Sequence, residues 1–359
     1  MDTGHLPFCV RNTKLVLFWT FWDESCVKNQ VICNIAGEIW KSTYIFNITQ
    51  LPERCEIITV AQFAFDRIEG HQILESDKGT ITSLVEANKT VYTRIGFVYE
   101  DDWPTIFDPP DAGVFQKDFF EPLINFLNAS KVNGILIYCE YIYDITIIDF
   151  AVKLSNFVSA VKNKTDNLIV GLIISGSYYE NFPNNSLFDF SITNEVLDLY
   201  VINWSALNLC DNDTVKYGLS PITSNISDMV TIEQVNGGVT NSSMDKSKIH
   251  AMIEMLPVIP KNLVPKNPGC ITTYSIYCSS TNPTNSSQWC TNPSKLSYDQ
   301  GAYAKQYYVG IVLELLDTED YEGFCECGKF PVSNLIIDGW TASPFKTCPK
   351  LDHNLTDFN

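Results

Sequence analysis

Eight short apolar runs recur along the chain, and helical or polar stretches separate them. The runs are rich in β-branched and aromatic residues, which is typical of strands buried on both faces in a parallel sheet. The segments 115–129 and 145–163, which lie between runs, repeat apolar residues every three or four positions, as amphipathic helices do. The predicted strands are 15–22, 56–65, 90–99, 134–142, 168–176, 196–204, 249–259 and 306–316.

Alternating strands and helices, with eight strands, predict an α/β fold of the (β/α)8 TIM-barrel class. A doubly wound sheet would alternate in the same way, but no glycine-rich turn follows the first predicted strand. We therefore expect one barrel domain over 1–359, with a shortened α+β insertion at 260–300 and a C-terminal tail at 341–359. The polar stretches 23–54 and 205–247 are predicted to be long loops, which in a barrel carry function.

The cysteines and glycosylation sequons both predict a secreted protein. Twelve cysteines lack the paired spacing of a zinc site, so disulfides are the better interpretation. Asn203 also lies in a sequon but falls within a predicted strand, where a glycan has no room. The sequons expected to be modified are Asn47, Asn88, Asn128, Asn163, Asn184, Asn212, Asn225, Asn241, Asn285 and Asn354.

The charge balance excludes some partners. The chain has 24 basic and 42 acidic residues, a net charge of −18, which repels phosphate backbones and anionic lipid. No apolar stretch reaches the roughly 18 residues of a membrane span. With four histidines and no catalytic constellation around them, we expect no metal, no cofactor and no hydrolase triad. The acids of 317–320 are expected to cap helices or to face solvent.

Several segments resemble the secreted chitinases and chitinase-like proteins of glycoside hydrolase family 18. They are the first predicted strand ending in Trp22, "CEIITVAQFAF", "FFEPLINFLNASKVNGILIYCEY" and "LSYDQGAYAKQYYVGIVLELLDTEDYEGFC". The last of these is the most specific match. The resemblance implies the barrel fold, and it also implies a disulfide from Cys278 to Cys325 or Cys327.

The family's signature strand reads Asp-Gly-x-Asp-x-Asp-Trp-Glu, in which the glutamate protonates the leaving oxygen. Carried over by resemblance, the glutamate falls on Glu140, and its two supporting aspartates fall on Leu136 and Tyr138. Alternate residues of a strand share one face, so these three side chains are expected to point the same way. Neither replacement can share a proton with the acid as an aspartate does.

The family's sugar-stacking tryptophan on the last strand falls on Glu314, a further departure from its pattern. Four aromatic residues could still line a sugar-binding cup, in which Glu314 is the fifth candidate ligand residue; they are Trp22, Phe63, Tyr138 and Trp204. Aromatic residues inside a barrel more often belong to the hydrophobic core. The two interpretations of these residues are therefore a sugar-binding site and core packing.

The sequence leaves three functions open. The favoured one is a secreted chitinase-like pseudoenzyme with a vestigial Glu140, acting in recognition or signalling through its surface. The alternatives are a lectin for chitin or N-acetylglucosamine that does not hydrolyse it, and a weak chitinase that uses Glu140 as general acid. The partner is accordingly an extracellular protein or a glycan such as a chitin oligomer.

Overall fold

A computed structural model describes residues 30–35, 50–66, 70–72, 75–97, 106–139, 148–176, 188–205, 207–258, 273–279 and 290–352. Eight parallel strands close into a barrel, because β1 pairs with both β2 and β9. The short β3 adds an antiparallel hairpin to β2. The strands are β1 Gln30–Asn34, β2 Ile57–Asp66, β3 Gly70–Gln72, β4 Thr90–Phe97, β5 Gly134–Tyr138, β6 Ile169–Ser175, β7 Leu199–Asn203, β8 Ile249–Glu254 and β9 Gly310–Glu314. The (β/α)8 prediction is confirmed.

Helices surround the barrel and connect its strands. The first turn of α2 continues through a π-helical turn, Gln116–Phe120, into α3. The helices are α1 Glu75–Glu86, α2 Ala112–Phe115, α3 Glu121–Ser130, α4 Phe150–Lys164, α5 Phe190–Thr193, α6 Asn212–Tyr217, α7 Ile232–Asn241, α8 Tyr274–Ser279, α9 Ser294–Tyr307 and α10 Pro331–Trp340. Within the described ranges, no helix is both long and apolar enough to cross a membrane.

The first strand of the barrel was wrongly predicted. The sequence placed it at 15–22, which lies outside the described residues, but Gln30–Asn34 fills the position between β9 and β2. This five-residue run is short and begins and ends with amides, so it carries little hydrophobic signal. The stretch 205–247, expected to be a loop, holds α6 and α7, and 260–300 holds α8 and the first half of α9.

Two apolar layers hold the barrel together. Inside it, alternate strand residues form one cluster, which includes Ile32, Leu136 and Val312. The intervening residues point outward and pack under the helices in the larger cluster, with Ile135 and Leu313 among them. This alternation is the period of two that β geometry imposes on a strand. The barrel strands whose side chains are described are therefore buried on both faces, as the continuous apolar runs of the predicted strands indicated.

Four disulfides join described residues, Cys33–Cys55, Cys210–Cys290, Cys278–Cys325 and Cys327–Cys348. Cys278 thus takes Cys325 as its partner, one of the two that the family resemblance implied. The bond from Cys327 to Cys348 joins the predicted C-terminal tail to the segment between β9 and α10. Leu351, which follows Cys348 in the tail, is buried.

Candidate functional site

Polar side chains form a layer towards the carboxyl ends of the barrel strands, except that Thr59 lies near the start of the long β2, beside Asn34. Each lies two residues after an apolar interior residue, so strand alternation directs it to the inside of the barrel, at its mouth. Active and binding sites of TIM barrels lie at this end. The layer contains Asn34, Thr59, Arg94, Tyr138, Ser175, Asn203, Glu254 and Glu314.

A buried ion pair crosses this layer. The carboxylate of Glu314 accepts a hydrogen bond from Arg94 Nη1 at 2.8 Å and another from Asn34 Nδ2 at 2.9 Å. Only 11% of each charged side chain is exposed. Buried charges persist when they are paired and hydrogen bonded in this way. Glu314 also lies beside Glu254 in the register of β8 and β9, so Arg94 balances charge where two carboxylates are neighbours.

The Arg94 guanidinium also lies over an aromatic ring. Its central carbon is 4.5 Å from the centre of the Tyr138 ring, within the range of a cation–π interaction. Tyr138 is partly exposed, whereas Arg94 and Glu314 beneath it are buried. The ring therefore borders the mouth, and the ion pair forms part of its floor.

Two buried oxygens of the mouth have no hydrogen-bond partner among the residues that the structure describes. They are Asn34 Oδ1 and Thr59 Oγ1, and their residues are neighbours in the register of β1 and β2. Buried polar atoms are normally satisfied by protein, water or ligand. The pair therefore provides two adjacent hydrogen-bonding positions, of which the amide oxygen can only accept.

The positions of the catalytic signature lie on β5. Leu136 is fully buried in the barrel interior, and Tyr138 follows it on the same face. Thus an aliphatic side chain stands where the resemblance places a supporting aspartate. Glu140, two residues beyond Tyr138, lies outside the described residues, as does Trp22. Only the backbone of Phe63 is described, within β2.

Trp204 does not line the mouth as the sequence suggested. It is 1% exposed and belongs to the outer core. There it makes edge contacts with Tyr303 and Tyr308, at centroid distances of 6.2 and 5.2 Å. The physical reason is strand alternation, since Asn203 points inward and the next residue must point outward. Of the proposed ligand residues, the structure brings Tyr138 and Glu314 together at the mouth.

Sequence reasoning missed Asn34, Arg94 and Glu254. A signal did exist for the two charged residues, because each interrupts an otherwise apolar strand at a position of the inward-facing set. Charged residues are almost never fully buried without a partner. Asn34 gave no comparable signal, because its strand was not recognised.

The acidic turn after β9 has a structural role. Asp317, Glu319 and Asp320 are all buried, so of the two expected roles, capping a helix or facing solvent, the second was wrong and the first holds for Glu319. Glu319 caps α10, accepting hydrogen bonds from the backbone N–H groups of Val332 and Ser333 at 2.7 and 3.1 Å. Burial nevertheless raises the pKa of Glu319 to about 8.

Asp320 lies beside the Cys278–Cys325 disulfide. Its carboxylate accepts hydrogen bonds from the Ser275 hydroxyl and from three backbone N–H groups, those of residues 323, 324 and 325. The two sulfurs are bonded to each other, so they are not available as thiolate ligands for a metal. This cluster fixes the turn that carries Cys325.

The known proteins to which this chain is similar were found by structure and not by sequence. No family model and no curated protein matches the sequence. The catalytic domain 2 of the Group II chitinase of Ostrinia furnacalis superposes with a TM-score of 0.69 at 11% identity, over 89% of this chain and 98% of that one. The Group IV chitinase of the same insect, in complex with allosamidin, gives 0.66 at 14% identity, over 88% and 100%.

A third similar structure is YKL-39, solved in the presence of chitooligosaccharides. It gives a TM-score of 0.62 at 13% identity, over 86% of this chain and 99% of that one. The chain therefore has the fold of the family 18 chitinases and chitinase-like proteins, as the sequence resemblance implied. At these identities the likeness shows the fold alone.

Proposed function

We propose that this chain, with its family 18 chitinase fold, is an extracellular chitinase-like pseudoenzyme that recognises a partner and does not hydrolyse chitin. One observation carries the proposal. Glu314, at the position where the resemblance places a sugar-stacking tryptophan, is bound in a buried ion pair with Arg94.

The ion pair argues against a productive sugar subsite. A sugar ring gains affinity by stacking on an apolar aromatic face. Glu314 offers instead a carboxylate whose two oxygens are already held by Arg94 and Asn34. Placing an apolar sugar face on this pair would leave buried charge less well solvated, which is unfavourable.

The absence of acidic support on β5 argues against hydrolysis. A positioned general acid supplies roughly 10²–10⁴-fold in rate, and only when its pKa is held near the working pH. Leu136 has no polar atom with which to hold a proton in common with Glu140. We therefore expect Glu140 to be vestigial.

The disulfides support an extracellular location. Four are formed within the described residues, and such bonds persist in oxidising compartments. The function that fits this location is recognition or signalling through the surface of the barrel.

A fluorogenic chitotrioside tests the catalytic half of the proposal. We expect the purified chain to release no fluorophore above the rate of Glu140→Gln, which serves as its matched background. Turnover that is lost in Glu140→Gln would establish a chitinase and refute the pseudoenzyme.

A second candidate function is glycan binding without hydrolysis. Asn34 Oδ1 and Thr59 Oγ1, which no described residue hydrogen bonds, and a partly exposed Tyr138 favour a polar ligand at the mouth. Retention of the chain on chitin beads tests this candidate. If the chain is a lectin, the beads should retain it. Tyr138→Ala should then abolish retention. Tyr307→Ala should not, because Tyr307 is a control tyrosine that is 49% exposed on α9.

A further inference from the structure

Four sequon asparagines lie where a helix ends and the next barrel strand is about to begin. Asn88 follows α1, Asn128 and Asn163 lie in the last turns of α3 and α4, and Asn241 ends α7. All four residues are exposed. In a barrel of parallel strands these connections lie at the amino ends of the strands, opposite the mouth.

The chain conformation supports the exposure of Asn88. It has a φ of 58°, the left-handed conformation that asparagine tolerates better than most residues. The N–H groups of Asn88 and Lys89 bond to the carbonyls of Val85 and Leu84, both at 3.0 Å. This is the Schellman arrangement that ends a helix, and it holds Asn88 at the corner of the turn.

Hydrogen bonds link the ends of these helices into one surface. Asn128 Nδ2 donates to the Lys164 carbonyl at 3.3 Å, which joins the ends of α3 and α4. Lys162 Nζ then reaches the Val196 carbonyl at 2.6 Å, which joins the end of α4 to the connection before β7.

The surface continues on both sides. Asn194 Nδ2 donates to the Ser243 carbonyl at 2.8 Å, which brings in the turn that follows Asn241. At the other end, Asn133 Oδ1 accepts the N–H of Val91 at 2.9 Å, so the Asn88 corner borders the connection after α3. The four asparagines therefore belong to one continuous face.

Asn203 provides a contrast within the same chain. It also begins a sequon, but it is 5% exposed and points into the barrel mouth. Its Oδ1 accepts the N–H of Ser205 at 2.8 Å. An oligosaccharide on Asn203 would have to occupy the barrel, so a folded molecule cannot carry one.

We propose that the amino-end face of the barrel is a glycan-covered face, with N-linked oligosaccharides on Asn88, Asn128, Asn163 and Asn241. This inference rests on the extracellular location in the proposed function. It has a consequence for recognition, because the sugars exclude large partners from this face. Asn225, the fifth exposed sequon asparagine among those whose side chains are described, lies in the connection between β7 and α7 and is outside this face.

The modification is a group transfer from a lipid diphosphate-linked oligosaccharide. The amide nitrogen Nδ2 forms a bond to the anomeric carbon while the bond from that carbon to the diphosphate oxygen breaks. Nδ2 loses one proton, and the lipid diphosphate leaves with the bonding electrons. Each glycosylated asparagine keeps one N–H, so Asn128 can still donate to the Lys164 carbonyl.

Peptide mapping of the full chain, secreted from insect cells behind a secretory leader, tests the proposal. Release of N-glycans in heavy-oxygen water marks every occupied asparagine as a labelled aspartate. We expect the label on all four asparagines of the face and its absence from Asn203. An unlabelled site among the four, or a labelled Asn203, would overturn the proposal.

A second measurement tests whether the glycans shield this face from reagents. Lys164 is exposed within the sequon of Asn163, and Lys117 is exposed at the mouth end as its control. We expect an amine-reactive acetylating ester to label Lys164 faster after the glycans are trimmed, with no change at Lys117. Equal rates before and after trimming would refute a protective cover. Both readouts are independent of chitin hydrolysis and binding, so they can fail while the pseudoenzyme proposal stands.

Discussion

Glu314→Gln should destabilise the barrel strongly, because it keeps the shape of the side chain but removes the carboxylate that pairs with the buried Arg94. The two charged atoms are 2.8 Å apart. At an effective dielectric constant of about 20, Coulomb's law gives an attraction of about 6 kcal/mol at that distance. Desolvation offsets part of this attraction, and breaking a buried pair typically costs about 3–5 kcal/mol.

Urea unfolding of a double-mutant cycle measures this loss. We expect Glu314→Gln and Arg94→Met each to lower the free energy of unfolding by about 3–5 kcal/mol. The double variant removes both members of the pair, so it should be at least about 1 kcal/mol more stable than the sum of the single losses predicts.

A surface pair supplies the matched control. Glu326 and Lys350 are also 2.8 Å apart, but the Glu326 side chain is 76% exposed. Glu326→Gln should therefore change stability by no more than about 1 kcal/mol. A loss at Glu314→Gln as small as the loss at Glu326→Gln would refute the claim that the mouth is built on a buried charge pair.

Three further predictions follow from other parts of the structure. Folding raises the pKa of Glu319 from 4.5 to about 8, so the folded state keeps a proton that the unfolded state loses. The contribution of Glu319 to stability should thus be complete below pH 4.5 and be lost as the pH rises through 8, and Glu319→Gln should abolish this part of the pH dependence of urea midpoints; an unchanged slope would contradict the assignment. Removing the Cys278–Cys325 disulfide, which closes 47 residues, by replacing both cysteines with alanine should cost about 4 kcal/mol. An unchanged urea midpoint would show that the bond does not constrain the unfolded chain. Trp204→Leu should lower the thermal midpoint because it opens a cavity in the outer core, yet leave any retention on chitin unaltered, whereas Tyr138→Ala should reduce retention with little loss of stability. The reverse pattern would place Trp204 in the ligand site.

Most barrel strands could be predicted from the sequence, because a strand that is buried on both faces has a continuous apolar run. β4, β5 and β6 were found within a few residues of their limits in this way. β1 was missed, since five residues flanked by polar side chains carry too little pattern. α6 was missed because it has only six residues, and α7 because asparagine, glycine and threonine make up half of it. Both helices begin with a capping box, which outweighs propensity.

At the candidate site, alternation was enough to place Leu136 and Tyr138 on one face. The same rule, applied to β7, would have directed Trp204 outward once Asn203 was taken to point inward. The choice between the two faces was open in the sequence, because β7 is apolar on both. Only packing against Tyr303 and Tyr308 decided it.

The sequence by itself determined the barrel class, the order of most strands and the positions of the sequons, because these depend on local periodicity and short motifs. The tertiary structure alone decided the pairing of Arg94 with Glu314 across 220 residues, and the faces on which the sequons lie. Strand tilt and stagger bring distant strand ends together as the barrel closes, and no local pattern encodes which charges then meet.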